Sequence, residues 1–514
     1  MDTASTPSPS PSTPVTPAAR SPRELALGVL MPGFNGATPP DWLLRAAAEG
    51  LGSVMLVAQN APDLPTTRTL TDAIHAAGPV LITVDEEGGD VSRLQAASGS
   101  ALPGAGGLGA ADDVQLTERA GAALGALVAA AGIDVDLAPV LDVASEPTNP
   151  VIGVRAFGPD PALVGRHGVA FLAGLQAGGV AGCAKHFPGH GATTTDSHLA
   201  LPVLDTTEQV ITDRDLPPFL AAAQAGLDAV MTAHLHIPAL GPRPASLEPA
   251  VTALARQLPG GQDRVVITDA LDMHAVSDGS AAGIGSACVR ALQAGADLLC
   301  LGTTGGRDDV AVFEAAVAAI VGALARGELA AADLERSIAR VGALRERIAG
   351  YRAAAPALEV AQAETAVADV GALAARAAVT VARGDVRLAG GAPVLVDLRR
   401  RYNQATGRVA PGFANALAER APGAEVILAG AADARPLAEL LDGLGERPVL
   451  ALTREPLADV REQEDLDLLL ARRGDAVVIH GGTADGAPEA DRLVLAHGVG
   501  RANADAALRL VLAD

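Results

Sequence analysis

Between residues 24 and 305, short runs rich in β-branched residues and Leu alternate with Ala-rich stretches, and this repeat constrains the fold more than any other feature of the chain. The runs are Leu25 to Met31, Ser53 to Val57, Val80 to Val84, Ile133 to Ala138, Val180 to Ala184, Ala229 to Thr232, Val265 to Thr268 and Asp297 to Leu301. Strand signals separated by helical stretches are the pattern of βα units around a parallel sheet, and eight of them predict a closed (β/α)₈ barrel. At 514 residues the chain also exceeds what one hydrophobic core usually organises. A long helix is expected over Ala330 to Ala353, closing a barrel domain of residues 23–353, with a linker over 354–366. A second alternation follows, with strands expected at Val379 to Ala382, Val394 to Asp397, Val426 to Leu428, Val449 to Leu452, Val477 to Ile479 and Leu493 to Ala496. It predicts a smaller α/β sandwich domain over 367–514 that carries no glycine-rich phosphate fingerprint.

Composition excludes several function classes. With 38 basic against 60 acidic residues the net charge is -22, and no Lys/Arg-rich run is long enough to follow a phosphate backbone. Nucleic acid and anionic membranes are therefore not expected partners. The longest uncharged apolar run, Ala120 to Ile133, is too short to span a bilayer and fits a buried helix, so no membrane insertion is expected. The three cysteines, Cys183, Cys288 and Cys300, lack metal-ligand or disulfide spacing and read as buried apolar residues. Residues 1–22 are rich in Ser, Thr and Pro and lack a basic start and an apolar h-region, which predicts a disordered tail on a cytoplasmic protein.

The polar residues fall where a barrel places its chemistry. Asp85, Lys185 with His186, His234 and Asp269 each stand just past the C-terminal end of an expected strand, the rim from which barrel enzymes build their sites. The densest cluster is Lys185-His186-Phe187-Pro188-Gly189-His190-Gly191, followed by Asp196-Ser197-His198. Its two glycines and its proline predict an irregular loop. Any one of these residues alone could be a helix cap or a rim salt bridge; Lys185 might merely neutralise Asp85, and His190 reads as a satisfied loop histidine. Asp272 is expected to cap a helix or face solvent.

A carboxylate at a strand end, Asp269, and a histidine beside an aspartate, His198 with Asp196, supply the two groups that a retaining glycosidase needs: a nucleophile for the anomeric carbon and an acid/base for the leaving oxygen and the incoming water. Imidazole suits the second role because it titrates near working pH, and a nearby carboxylate fixes its tautomer. His234-Leu235-His236 also matches the His-x-His pair of two-metal barrel hydrolases, but it follows the sixth expected strand where that pattern ends the first, so no metal and no cofactor are expected.

At this point the chain resembles glycoside hydrolase family three, in its bacterial β-N-acetylglucosaminidase (β-N-acetylhexosaminidase) branch with a His/Asp dyad. The segments that carry the likeness are Val84-Asp85-Glu86-Glu87-Gly88-Gly89 with Arg93, Asn149-Pro150 through Arg155-Ala156-Phe157-Gly158, the block from Lys185 to His198, and Thr268-Asp269-Ala270-Leu271 with Met273. The resemblance implies that Asp269 is the nucleophile, His198 the acid/base and Asp196 its orienting partner. It further implies that Asp85, Arg93, Arg155, Lys185 and His186 grip the sugar hydroxyls and acetamido group, with His234 lining the same pocket. One departure stands out: relatives commonly have a basic residue after Glu-Gly-Gly, where this chain has Asp90.

One Trp, two Tyr and seven Phe leave few stacking platforms for a long polysaccharide, so a short substrate held by hydrogen bonds is expected. The resemblance makes it a small glycan with a terminal β-linked N-acetylglucosamine, with cell-wall muropeptide fragments as the natural source. The competing readings are an N-acetylglucosaminide phosphorylase, a β-glucosidase on the same scaffold and a noncatalytic sugar-binding protein.

Overall fold

The computed structural model describes residues 19–195, 200–302, 306–400, 411–429 and 436–512. Eight parallel strands form the first domain: β1 (Leu30–Met31), β2 (Ser53–Leu56), β3 (Leu81–Val84), β4 (Val135–Asp136), β5 (Ala181–Phe187), β6 (Ala229–Thr232), β7 (Val265–Thr268) and β8 (Leu299–Cys300). β2 to β7 pair in chain order, and β1 pairs with β8 through Leu30–Leu299 and Met31–Cys300. The two seams are joined by a bridge between Ile267 and Leu298 and by the Met55 N–H donating to the Pro32 carbonyl at 3.0 Å, so the sheet is a closed (β/α)₈ barrel. All the strands are buried along their length, as parallel strands covered by helices must be.

The first strand is shorter than the expected Leu25 to Met31, because Pro22–Gly28 is a helix. Ser21 and Glu24 exchange side-chain and backbone hydrogen bonds in a capping box that starts it, so the four apolar residues 25–28 belong to a helical turn. Ser21 and Pro22 thus fall inside the segment expected to be tail, whose residues 1–18 lie outside the described residues.

The bottom of the barrel is closed by the helix Ala331–Ala354. Val341, Leu344 and Ile348, spaced by three and four residues, form one stripe that joins the barrel interior with Met31, Met55, Leu137, Met231 and Ile267. Its arginines complete a repeated motif. Asp134, Asp228 and Asp297 precede β4, β6 and β8, and each accepts a backbone N–H of the preceding strand: Ile82 at 2.7 Å, Gly182 at 3.2 Å and Val266 at 2.9 Å. Arg352, Arg347 and Arg340 pair with these buried carboxylates at 2.9, 3.3 and 2.8 Å respectively. The alternate strands are therefore pinned at their N-terminal ends by one helix, where barrel folds place stability and not chemistry.

Residues 354–366 hold the end of that helix, a short connection and the first turns of a second helix, Val360–Ala378. Ala363, Val367 and Ala374 of this helix pack into the barrel's outer core, while Ala375 joins the core of the second domain. At Gly371 a Cβ would lie 1.8 Å from the Ala101 carbonyl oxygen, so only glycine allows this approach. The second domain is a six-stranded sheet of β9 (Thr380–Arg383), β10 (Val394–Asp397), β11 (Glu425–Leu428), β12 (Val449–Thr453), β13 (Val477–His480) and β14 (Leu493–Leu495). Its order is β11-β10-β12-β13-β14-β9, parallel except for β9, which runs antiparallel to β14.

Candidate active site

The C-terminal rim of the barrel gathers an ion-pair network. Asp85 follows β3 and accepts from Lys185 Nζ at 2.6 Å, while Arg93 stands 3.8 Å from the other Asp85 oxygen. Lys185 also reaches Glu87 at 2.7 Å, and Arg155 donates to both Glu87 oxygens at 2.9 and 2.8 Å. The Lys185, Glu87 and Arg155 side chains are 2%, 5% and 6% exposed, so this pairing occurs out of water, where each charge depends on its partners. Burial alone would raise the Glu87 pKa, but Arg155 and Lys185 outweigh it and hold the carboxyl below the usual range. By the same balance, burial works to lower Lys185 and Arg155, yet Asp85 and Glu87 keep Lys185, and Glu87 keeps Arg155, above their ordinary values.

Lys185 and His186 both enter this rim because β5 is irregular there. Ala184 pairs with Val230 and Phe187 with Thr232, so Lys185 and His186 together oppose the single residue Met231. In a regular strand neighbouring side chains point to opposite faces; the extra residue of a bulge re-aims one of them. Strand pairing thus continues to Phe187, beyond the Ala184 end expected from sequence, and the chemistry sits on the bulge and not in an irregular loop. His186 Nδ1 lies 2.6 Å from Asp142 Oδ2, and Arg155, which can only donate, stands 3.4 Å from Nε2. Nδ1–H therefore donates to Asp142 while Nε2 accepts.

Asp142 also accepts the backbone N–H of His190 at 2.7 Å. Its burial raises the pKa, but His186 and His190 reverse the balance and lower it. His190, itself buried beside the Thr193 hydroxyl at 2.8 Å, is pushed down to about 4 by desolvation and is neutral at physiological pH. Asn149 ties the two halves of the rim: its Oδ1 accepts the Val151 and Ile152 N–H groups, and its Nδ2 donates to the His190 carbonyl at 3.0 Å. This fixes the short turn Gly153–Arg155 that presents Arg155.

Asp269 follows β7 and is only half-buried, in contrast to Lys185 and Glu87. Its N–H donates to the Thr232 carbonyl at 3.1 Å, which ties it to β6, and its Oδ1 accepts the Ala270 N–H at 2.7 Å. It acts electrostatically on His190, which places it within the field of the same rim. His234, fully buried, donates from Nε2 to the Ala270 carbonyl at 2.9 Å and accepts at Nδ1 from Ser246 at 2.6 Å. Both ring nitrogens hold protein groups, so the ring braces the Asp269–Ala270 backbone. The His236 ring turns instead to the Gly241 carbonyl at 3.2 Å. Asp272, expected to cap a helix or face solvent, is buried and pairs with Arg307 at 2.7 Å.

The structure therefore brings Asp85, Arg93, Arg155, Lys185 and His186 into one network, with Asp269 and His234 on the adjoining strands; Asp196 and His198 lie outside the described residues. Glu87 and Asp142, to which sequence reasoning gave no role, are the carboxylates on which the network turns. Asp85 stands directly after β3, but Asp142 lies well past the end of β4, beyond the bridge between Val140 and Lys185, so no strand-end position marked it in the sequence.

A closed barrel whose C-terminal rim gathers buried cations and carboxylates beside a half-buried aspartate is the layout from which barrel enzymes build their sites. The comparisons narrow this. Residues 44–344 match the model of the glycosyl hydrolase family 3 N terminal domain, and the chain belongs to that family. It is 32% identical over 337 residues to beta-hexosaminidase A of Pseudoalteromonas piscicida, a match covering 60% of this chain and 56% of that protein's length. It is 34% identical over 338 residues to beta-hexosaminidase LpqI of Mycobacterium tuberculosis, covering 64% of this chain and 84% of the relative. The solved family 3 beta-N-acetylglucosaminidase of Paenibacillus sp. str. FPU-7 superposes with a TM-score of 0.84 at 28% identity, over 96% of this chain and 97% of that one.

Proposed function

We propose that the protein is a retaining glycosidase that releases terminal β-linked N-acetylglucosamine from short glycans. The observation that carries the reading is the buried Asp85–Lys185–Glu87–Arg155 network at the rim beside Asp269: fixed donors and acceptors for a polar ring, next to a half-buried carboxylate at the end of β7. The names of the beta-hexosaminidase relatives and of the Paenibacillus structure support the sugar assignment.

In this reading Asp85, Arg93, Arg155, Lys185 and His186 orient the sugar, and Asp269 attacks the anomeric carbon to form a covalent glycosyl-aspartate. His198, oriented by Asp196, gives its proton to the departing oxygen and then takes one from the attacking water, so the configuration is retained. His234 holds the backbone that carries Asp269. Muropeptide fragments are the proposed natural source and the cytoplasm the proposed setting, which cell fractionation would check. Product analysis tests the reaction: free N-acetylglucosamine in both phosphate-containing and phosphate-free buffer is expected. A sugar phosphate would identify a phosphorylase, preference for an aryl glucoside would identify a β-glucosidase, and binding without turnover would identify a noncatalytic protein.

A further inference from the structure

The turn that carries Asp85, Glu87 and Arg93 is held from outside the barrel, and its outer anchor is Asp90. Within the turn, Glu86 closes the segment on itself by accepting the Arg93 and Leu94 N–H groups at 2.8 and 2.9 Å, and Gly88 and Gly89 take positive φ values of 78° and 59°. The tip is Asp90, whose side chain is 2% exposed. It does not face the barrel. Its carboxylate accepts the Val499 N–H of the second domain at 2.7 Å and stands 3.5 Å from Arg454 Nε, at the end of β12.

The contact continues on both sides of that pair. The Ala502 N–H donates to the Ser100 carbonyl at 3.2 Å, and Asn503 Nδ2 reaches the Pro103 carbonyl at 3.4 Å. At Gly500 a Cβ would lie 3.0 Å from the Gly89 carbonyl oxygen, so the two backbones run close together here. Arg454 is in turn paired with Glu455 at 2.9 Å, and Glu462 accepts the Glu455 N–H at 3.2 Å.

We infer that Asp90 is a positioning residue through which the docked second domain sets the affinity of the sugar-binding turn. Arg454 supplies from the second domain the positive charge that faces the Asp90 carboxylate. The inference rests on the proposed sugar-binding role of that turn. The chemical logic is that Glu87 fixes both Lys185 and Arg155, so a turn released at its tip loosens two cations at once.

The test uses the full chain and two readouts. Asp90→Ala, Arg454→Gln and the double variant are assayed for turnover of an aryl β-N-acetylglucosaminide, and amide hydrogen exchange is followed over residues 86–103. Each single variant is expected to raise KM about tenfold with kcat within about twofold, the double variant to cost little more than either single one, and exchange to accelerate. Asp90→Asn, which keeps an acceptor for Val499 but loses the charge, is expected to lie between wild type and Asp90→Ala and guards against a variant that fails to fold. Unchanged KM and unchanged exchange in Asp90→Ala, or strictly additive effects of Asp90→Ala and Arg454→Gln, would overturn the inference. Should the wild type show no turnover, the glycosidase reading fails while hydrogen exchange still decides whether the second domain holds the turn.

Discussion

Replacing Glu87 by Gln keeps the shape of the side chain and removes the charge that Lys185 and Arg155 share. In the wild type, Arg155 makes a two-pronged contact with Glu87 and Lys185 lies 2.7 Å away, all three side chains being 6% exposed or less. Lys185 keeps Asp85 in the variant, but Arg155 loses the carboxylate it clasps. Removing one partner of a buried ion pair costs about 3–5 kcal/mol, and the retained Asp85 contact argues for the lower end, about 3 kcal/mol. For a domain of this size that is a fall in melting temperature of about 4 °C. The pH dependence gives an independent check. Glu87 is held below its ordinary value of 4.5, so its stabilisation is complete above the unfolded pKa and is lost as pH falls toward the folded one. The gap between wild type and Glu87→Gln should therefore be full at about pH 7 and shrink at about pH 3.5, as measured by circular dichroism melts. A variant melting within about 1 °C of wild type at neutral pH, or a gap that widens in acid, would refute the argument.

Three further outcomes are expected. Arg340→Ala should destabilise the barrel by about 1.5 kcal/mol, because Asp297 loses one charged partner but keeps Arg256 and Ser337; denaturant midpoints would show it, with kcat unchanged. His190, buried with a pKa of about 4 against an unfolded value near 6.5, lets the unfolded chain bind more protons in between, so stability should fall as pH drops through that window. His190→Gln should flatten that part of the stability profile, and an unchanged slope would count against a buried neutral imidazole. His234→Ala should lower kcat more than it raises KM, since it loosens the backbone that holds Asp269; the reverse pattern would place the ring against the sugar.

How far the sequence could be read varied with the physics of each segment. Ala229–Thr232, Val265–Thr268 and Val394–Asp397 were legible to the residue, because short runs of buried β-branched residues between turn signals admit few other structures. Leu25 to Gly28 misled because an apolar run alone does not separate a strand from a buried helix; the Ser21 to Glu24 capping signature carried the missing information. The bulge at Lys185 and His186 depends on pairing with β6, which no local pattern in β5 reports. Glu87 was visible in the motif, yet its partnership with Arg155 spans 68 positions of sequence and arises only when β3 and the 153–155 turn meet at the rim. Asp90 was visible as a departure, while its partners Arg454 and Val499 became identifiable only with the second domain in place.

The most direct measurement is turnover of an aryl β-N-acetylglucosaminide by the wild type and by Asp269→Asn, with intact-mass analysis of wild-type protein quenched during turnover. Turnover in the wild type, its loss in Asp269→Asn, and a mass increase of one glycosyl unit located on Asp269 are the predicted results. Turnover that survives Asp269→Asn, or a wild type that binds the sugar and never cleaves it, would contradict the account.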